Sequence, residues 1–137
     1  MPKIFTSQKQ KKGELGETIA VKYLEGKGFH VKERNYTKKW GEIDIIAEKE
    51  GKLCFIEVKA VSFNVSDNVY NEIGYTGIRP EENLTNDKIK RLKRAIQTYL
   101  LDHKVPRETE WQFDLMCVYL DDVKRKAKVR VIDNIIL

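Results

Sequence analysis

At 137 residues, with 41% hydrophobic and 34% charged side chains and a formal charge of +5, the chain has the size and make-up of one heavily charged soluble domain. No apolar run approaches the roughly 20 residues that span a bilayer, and Met1 to Lys12 lacks the apolar stretch of a secretory signal, which excludes a membrane span and leads us to expect a cytoplasmic protein. The two cysteines, Cys54 and Cys117, lie far apart without metal-type spacing, and His30 and His103 are isolated, which argues against a disulfide framework, a zinc site or a nucleophile–base pair.

Met1 to Lys12 is polar and basic and reads as a flexible tail, leaving residues 13–137 as a single domain. Gly13 to Gly26 follows as a helix. Leu15, Ile19, Tyr23 and Leu24 form its apolar stripe, and Gly26 and Gly28 stop it. Glu17 lies at the rim of that stripe rather than on the outward face. Phe29 to Tyr36 reads as a strand, with Phe29, Val31 and Glu33 on one side.

The densest signal comes next. Gly41-Glu42-Ile43-Asp44-Ile45-Ile46-Ala47 and Leu53-Cys54-Phe55-Ile56-Glu57-Val58-Lys59 are apolar strands joined by a short charged link containing Gly51, the pattern of a hairpin. With Lys49 to Lys52 as the loop, Glu48 faces Leu53, Asp44 faces Glu57 and Glu42 faces Lys59. Directly opposed residues have Cβ atoms roughly 5 Å apart. Two carboxylates at that separation repel by about 3 kcal/mol at an effective dielectric of about 20. Such a pair is unfavourable by itself, and with Lys59 on the same face as Glu57 it looks like a divalent-cation site beside a catalytic ammonium.

Ser62 to Leu84 is polar, carries Gly74, Gly77 and Pro80, and is long enough for a functional loop in which Tyr70 and Tyr75 could stack on bases or on their own domain. A second helix runs from Thr85 or Asn86 to about His103. Its apolar stripe is Ile89, Leu92, Ile96, Tyr99 and Leu100, and its other faces are basic. Trp111 to Leu120 reads as a strand with Asp114 among apolar neighbours. Lys124, Arg125, Lys126 and Lys128 crowd a turn before a closing strand, Val129 to Leu137. Clustered basic residues are the footprint of a polyanion partner, and equally a way to keep a surface soluble.

At these residues the chain resembles the restriction-endonuclease-like superfamily, whose signature is written PD-(D/E)XK. Here it reads as Asp44, twelve residues, then Glu57-Val58-Lys59. Gly13-Glu14-Leu15-Gly16-Glu17, Arg34-Asn35-Tyr36, the Gly-Glu-Ile-Asp and Glu-Val-Lys phrases, Thr85 with Lys88, and Phe113-Asp114 are similar to the bacterial YraN-like family, itself similar to Holliday junction resolvases. The resemblance implies an α/β fold with an αβββαβ core, a mixed central sheet flanked by helices, and here an extra C-terminal strand. It also implies a metal-dependent endonuclease acting on DNA, branched or damaged DNA included, as a homodimer. Asp44, Glu57 and the Val58 carbonyl would hold Mg²⁺ or Mn²⁺, Lys59 and Glu17 would complete the catalytic set, and Lys88, Arg91 and Arg94 would contact the phosphate backbone. The chain departs from the family at Ala60-Val61, where relatives carry threonine or arginine, and in its longer segment 62–84. A module that binds nucleic acid without cutting it, or a protein-interaction adaptor, are the other readings of the same residues.

Overall fold

The computed structural model describes residues 8–63, 84–121 and 123–137. The elements are α1 (Gln8–Gly26), β1 (His30–Lys38), β2 (Gly41–Lys49), β3 (Lys52–Phe63), α2 (Asn86–Asp102), β4 (Trp111–Asp121) and β5 (Lys126–Ile132). The expected α/β order of helix, three strands, helix and two strands is borne out. Tyr70 and Tyr75 lie outside the described residues, as do positions 1–7 of the expected tail.

All five strands form one sheet in the order β1-β2-β3-β4-β5, antiparallel except for the parallel pair β3–β4. A parallel pair needs a crossover, and α2 supplies it. Each helix covers one face. Ala20 and Leu24 of α1 pack with Ile45, Ala47, Cys54, Ile56, Met116 and Val118. On the other face Leu92, Ala95, Ile96 and Tyr99 of α2 pack with Tyr36, Ile43, Ile46, Phe55 and Phe113. The mixed sheet is therefore buried on both sides, which is why its central strands are almost continuously apolar. Cys54 and Cys117 are buried and form no disulfide, and burial pushes the Cys54 thiol up to about 11. Among the described residues no helix is long and apolar enough to cross a membrane.

Several boundaries differ from the sequence reading, each for a physical reason. Helix α1 begins at Gln8, because Gln and Lys propagate a helix even where no apolar stripe marks it. Of its expected stripe Ile19, Tyr23 and Leu24 pack on the sheet, joined there by Gly16 and Ala20, while Leu15 is 50% exposed. In β1 a bulge between Val31 and Glu33 breaks the alternation, so Val31 packs towards α1 while Glu33 lies level with Ile46 and 3.9 Å from His103. The strand expected over Val129 to Leu137 is instead Lys126–Ile132. Beyond it the chain turns at Asn134 (φ 51°) and folds back. There Asp114, 5% exposed, accepts from Asn134 N at 2.8 Å and Ile135 N donates to Phe113 O at 2.8 Å. Helix α2 starts as expected: the Thr85 hydroxyl accepts from Lys88 N at 3.2 Å.

Candidate metal centre and nucleic-acid cleft

The β2–β3 hairpin has the expected register, with Glu48 paired to Leu53 and the ladder running on to Ile45–Ile56. Its loop is tighter than four residues. Lys49 pairs with Lys52, leaving Glu50 and Gly51, both at positive φ (53° and 79°), as the two central residues of the turn.

One step past Ile45–Ile56 the regular pattern ends. Strict alternation would put Ile43 and Ile45 on the same face, yet Ile43 and Ile46 both pack under α2 while Ile45 packs under α1. The break falls at Asp44. Opposite it on β1, between the pairs Arg34–Ile45 and Tyr36–Ile43, stands Asn35 at φ 54°, a left-handed position that asparagine tolerates well. Released from the ladder, Asp44 turns its carboxylate to the neighbouring strand, where Oδ2 accepts from Val58 N at 2.8 Å. The sequence placed Asp44 opposite Glu57 by register alone. The structure brings the two together through a local kink and an anchor on the residue after Glu57.

Two close approaches fix the helices around this point. A Cβ on Gly16 would stand 2.7 Å from the Ala60 Cβ, so only glycine lets α1 settle onto β3 and carry Glu17 over the site. A Cβ on Gly41 would stand 2.7 Å from the Arg91 carbonyl oxygen, so β2 enters directly beneath α2. Ala60 is thus the packing partner of Gly16.

Electrostatics mark the centre. Burial raises the Asp44 carboxyl to about 7; the Val58 N–H opposes the rise, and the carboxylates of Glu57, Glu17 and Glu42 add to it. Every charged group in that set is negative, which is the condition a bound cation would relieve. Burial also raises Glu57, with Glu42 adding to the effect and Lys88 and Lys59 opposing it. Lys88 Nζ lies 3.9 Å from Glu57 Oε1. The pairing of Glu42 with Lys59 suggested by the register is not formed: among the described residues no ion pair joins them, and Glu42 stands level with Thr37 of β1.

Glu57 and Glu42 open into a cleft of ≈ 340 Å³ between the β1–β2 turn and the first half of α2, where Lys38, Lys39, Lys88 and Arg91 supply cationic walls. Of the expected phosphate contacts, Lys88 and Arg91 therefore line the cleft. Arg94 does not: its guanidinium lies 4.3 Å from the centre of the Trp40 ring. The indole Nε1 of Trp40 in turn donates to Thr98 Oγ1 at 3.3 Å. The sequence assigned no site role to Lys38, Lys39 or Trp40. The signal available was the two-residue connection Lys39-Trp40, with Lys38 on one side and Gly41 on the other.

Among the described residues no cluster of three or more His, Cys, Asp or Glu draws together into a complete metal cage. The donors at the kink are two carboxylates and, as the resemblance implies, the Val58 carbonyl. Such an incomplete set of hard oxygen ligands suits Mg²⁺, which retains several waters and takes only one or two protein carboxylates.

Residues 16–118 match the model of a family described as "Uncharacterised protein family UPF0102". That span holds all the site residues named above. The chain is 40% identical over 112 residues to a UPF0102 protein of Campylobacter lari, covering 82% of this chain and 87% of that one. It is 36% identical over 126 residues to a UPF0102 protein of Lachnoclostridium phytofermentans, covering 92% of each. A UPF0102 protein of Clostridium botulinum is 32% identical over 122 residues, with 89% of this chain and 90% of the relative covered.

Proposed function

The chain belongs to the uncharacterised protein family UPF0102, and from that footing we propose that it is a metal-dependent endonuclease of the restriction-endonuclease-like superfamily, hydrolysing phosphodiester bonds in DNA. The observation that carries the reading is Asp44. It is pulled out of strand alternation, held by Val58 N at 2.8 Å beside Glu57, and left with a proton affinity near neutrality by burial and by three further carboxylates. Stability alone gives no reason for that arrangement.

Asp44 and Glu57, with the Val58 carbonyl, are the residues that would hold Mg²⁺ or Mn²⁺. Bound there, the ion would supply Lewis-acid stabilisation of a phosphoryl oxygen and a more acidic water. Val58 N fixes the Asp44 carboxylate in one orientation. Lys59, close enough to Glu57 to lower its proton affinity, orients the attacking water and offsets charge on the phosphate in the transition state. Glu17 contributes negative charge from α1, fixing the position of a water on that side. Lys88 and Arg91 hold the phosphate backbone against the cleft wall.

The test is incubation of supercoiled plasmid and of a four-way junction with Mn²⁺, in parallel with Glu57→Ala. Products with the native chain and none with the variant are expected; no metal-dependent product from any substrate sinks the reading. One observation favours a module that binds without cutting: Lys88 already stands against Glu57 and partly neutralises it. That alternative keeps salt-sensitive binding but yields no product, since counterion release makes affinity for nucleic acid fall steeply with salt.

A further inference from the structure

Across α2 from the carboxylate cleft lies a second hollow of ≈ 470 Å³, bounded by the helix on one side and by the segment after β5 on the other. Trp111 and Phe113 give it an aromatic floor, and Lys93, Arg94 and Gln97 stand along its helical edge. Trp111 is 38% exposed, and its ring is steadied from within by an edge-on contact with Phe55, centroids 5.6 Å apart at 84°. Ile136, on the opposite lip, is 93% exposed.

The two hollows adjoin at one pair of side chains. Trp40 lines the carboxylate cleft, Arg94 lines the second hollow, and the two side chains stack on each other. In the parallel β3–β4 pair, Glu57 stands level with Leu115 and Leu53 with Trp111. Trp111 is therefore four residues down the sheet from the carboxylate level, about 13 Å at 3.3 Å per residue. Cations lead from one hollow to the other: Lys88 and Arg91 at the cleft, Arg94 at the crossing, Lys93 at the far edge.

We infer that the hollow at Trp111 is a subsite for an unpaired base of single-stranded nucleic acid, whose phosphates run over Lys93 and Arg94 toward the cleft at Glu57. A flat apolar ring beside a cationic edge matches the two halves of a nucleotide, one that stacks and one that carries charge. A base inside a duplex presents no free face, so the subsite selects single-stranded, frayed or branched substrates. Gln97 offers a donor and an acceptor to the edge of whichever base is stacked. The inference deepens the nuclease reading by naming the substrate class, and it rests on that reading only for the direction in which the strand runs.

The test uses the full chain with fluorescein-labelled oligo-dT and oligo-U, and a labelled duplex, in EDTA so that nothing is cleaved. Anisotropy reads the affinity. Trp111→Ala is expected to weaken single-strand binding about 5- to 100-fold, the worth of one stacked base, with duplex binding changed less than about twofold. Trp111→Phe recovers most of the loss, because it keeps a stacking face. Trp111→Leu, which fills the same space without one, does not; this pair decides the matter where the alanine variant fails to fold. Lys93→Glu weakens binding of every probe and lowers the salt slope by about one. Loss on both single strands assigns the subsite to either sugar, and loss on oligo-dT alone assigns it to DNA. Equal affinities of Trp111→Leu and Trp111→Phe for the single strands, or an equal loss on the duplex, overturn the inference. Because no metal is present, binding is read without any cleavage, so failure of cleavage and failure of the subsite are separate results.

Discussion

Asp44→Asn should make the protein more stable at neutral and alkaline pH. In the folded chain the Asp44 carboxyl titrates at about 7, against 3.8 for an ordinary aspartate, mainly because it is buried and is then surrounded by Glu57, Glu17 and Glu42. The folded state thus holds this proton more tightly than the unfolded chain does. The sign follows: stability falls as pH rises through the interval from about 4 to about 7, and stays reduced above it. At about 1.36 kcal/mol per pKa unit the full effect is about 4 kcal/mol. Asparagine keeps the shape, can still accept from Val58 N, and carries no charge at any pH. We expect urea unfolding at about pH 8 to show the variant more stable by about 2–4 kcal/mol, and the gap to shrink by more than half at about pH 5. Added Mg²⁺ should narrow the gap at the higher pH by stabilising only the native chain. A variant less stable than the native chain at about pH 8, or a gap independent of pH, would refute the reasoning.

Three further outcomes follow from the same geometry. Gly41→Ala places a Cβ 2.7 Å from the Arg91 carbonyl oxygen, a backbone atom that cannot swing aside, and should destabilise the fold by about 1–3 kcal/mol in chemical denaturation. Lys88→Ala removes the cation 3.9 Å from Glu57 and should tighten Mn²⁺ binding about two- to fivefold by calorimetry, the worth of an exposed pair, while weakening DNA binding. Lys59→Met should leave Mn²⁺ affinity within about twofold but lower the single-turnover cleavage rate by about 100-fold or more, as expected on losing a transition-state donor.

Much of this was legible in the residues because it depends on local rules. The turn at Glu50-Gly51 and the apolar strands beside it dictate the hairpin register as far as Ile45–Ile56, one step short of Asp44 and Glu57. What local rules could not supply was the kink. It needs Asn35 at positive φ on one strand and a broken alternation on the next, a condition shared by two segments and visible in neither alone. The α1 stripe holds at Ile19, Tyr23 and Leu24 but not at the exposed Leu15, and the contact also uses Gly16 and Ala20, small residues whose value lies in close approach rather than in hydrophobicity. Lys88 carries the same lesson. Read along the helix it is one of several basic residues, and only the packing of α2 on the sheet sets it against Glu57. The end of the chain was mistaken for strand because its apolar residues, Ile135 and Leu137, do pack on the core, but by folding back on Asp114 instead of by pairing.

The central claim is that Asp44 and Glu57 share one divalent cation. Titration with Mn²⁺ followed by electron paramagnetic resonance tests it most directly, on the native chain, Asp44→Asn and Glu57→Gln at about pH 8, above the Asp44 titration at about 7. One bound Mn²⁺ in the native chain, and its loss from each single variant with the fold intact, is the expected result. Undiminished Mn²⁺ affinity in both variants would contradict it.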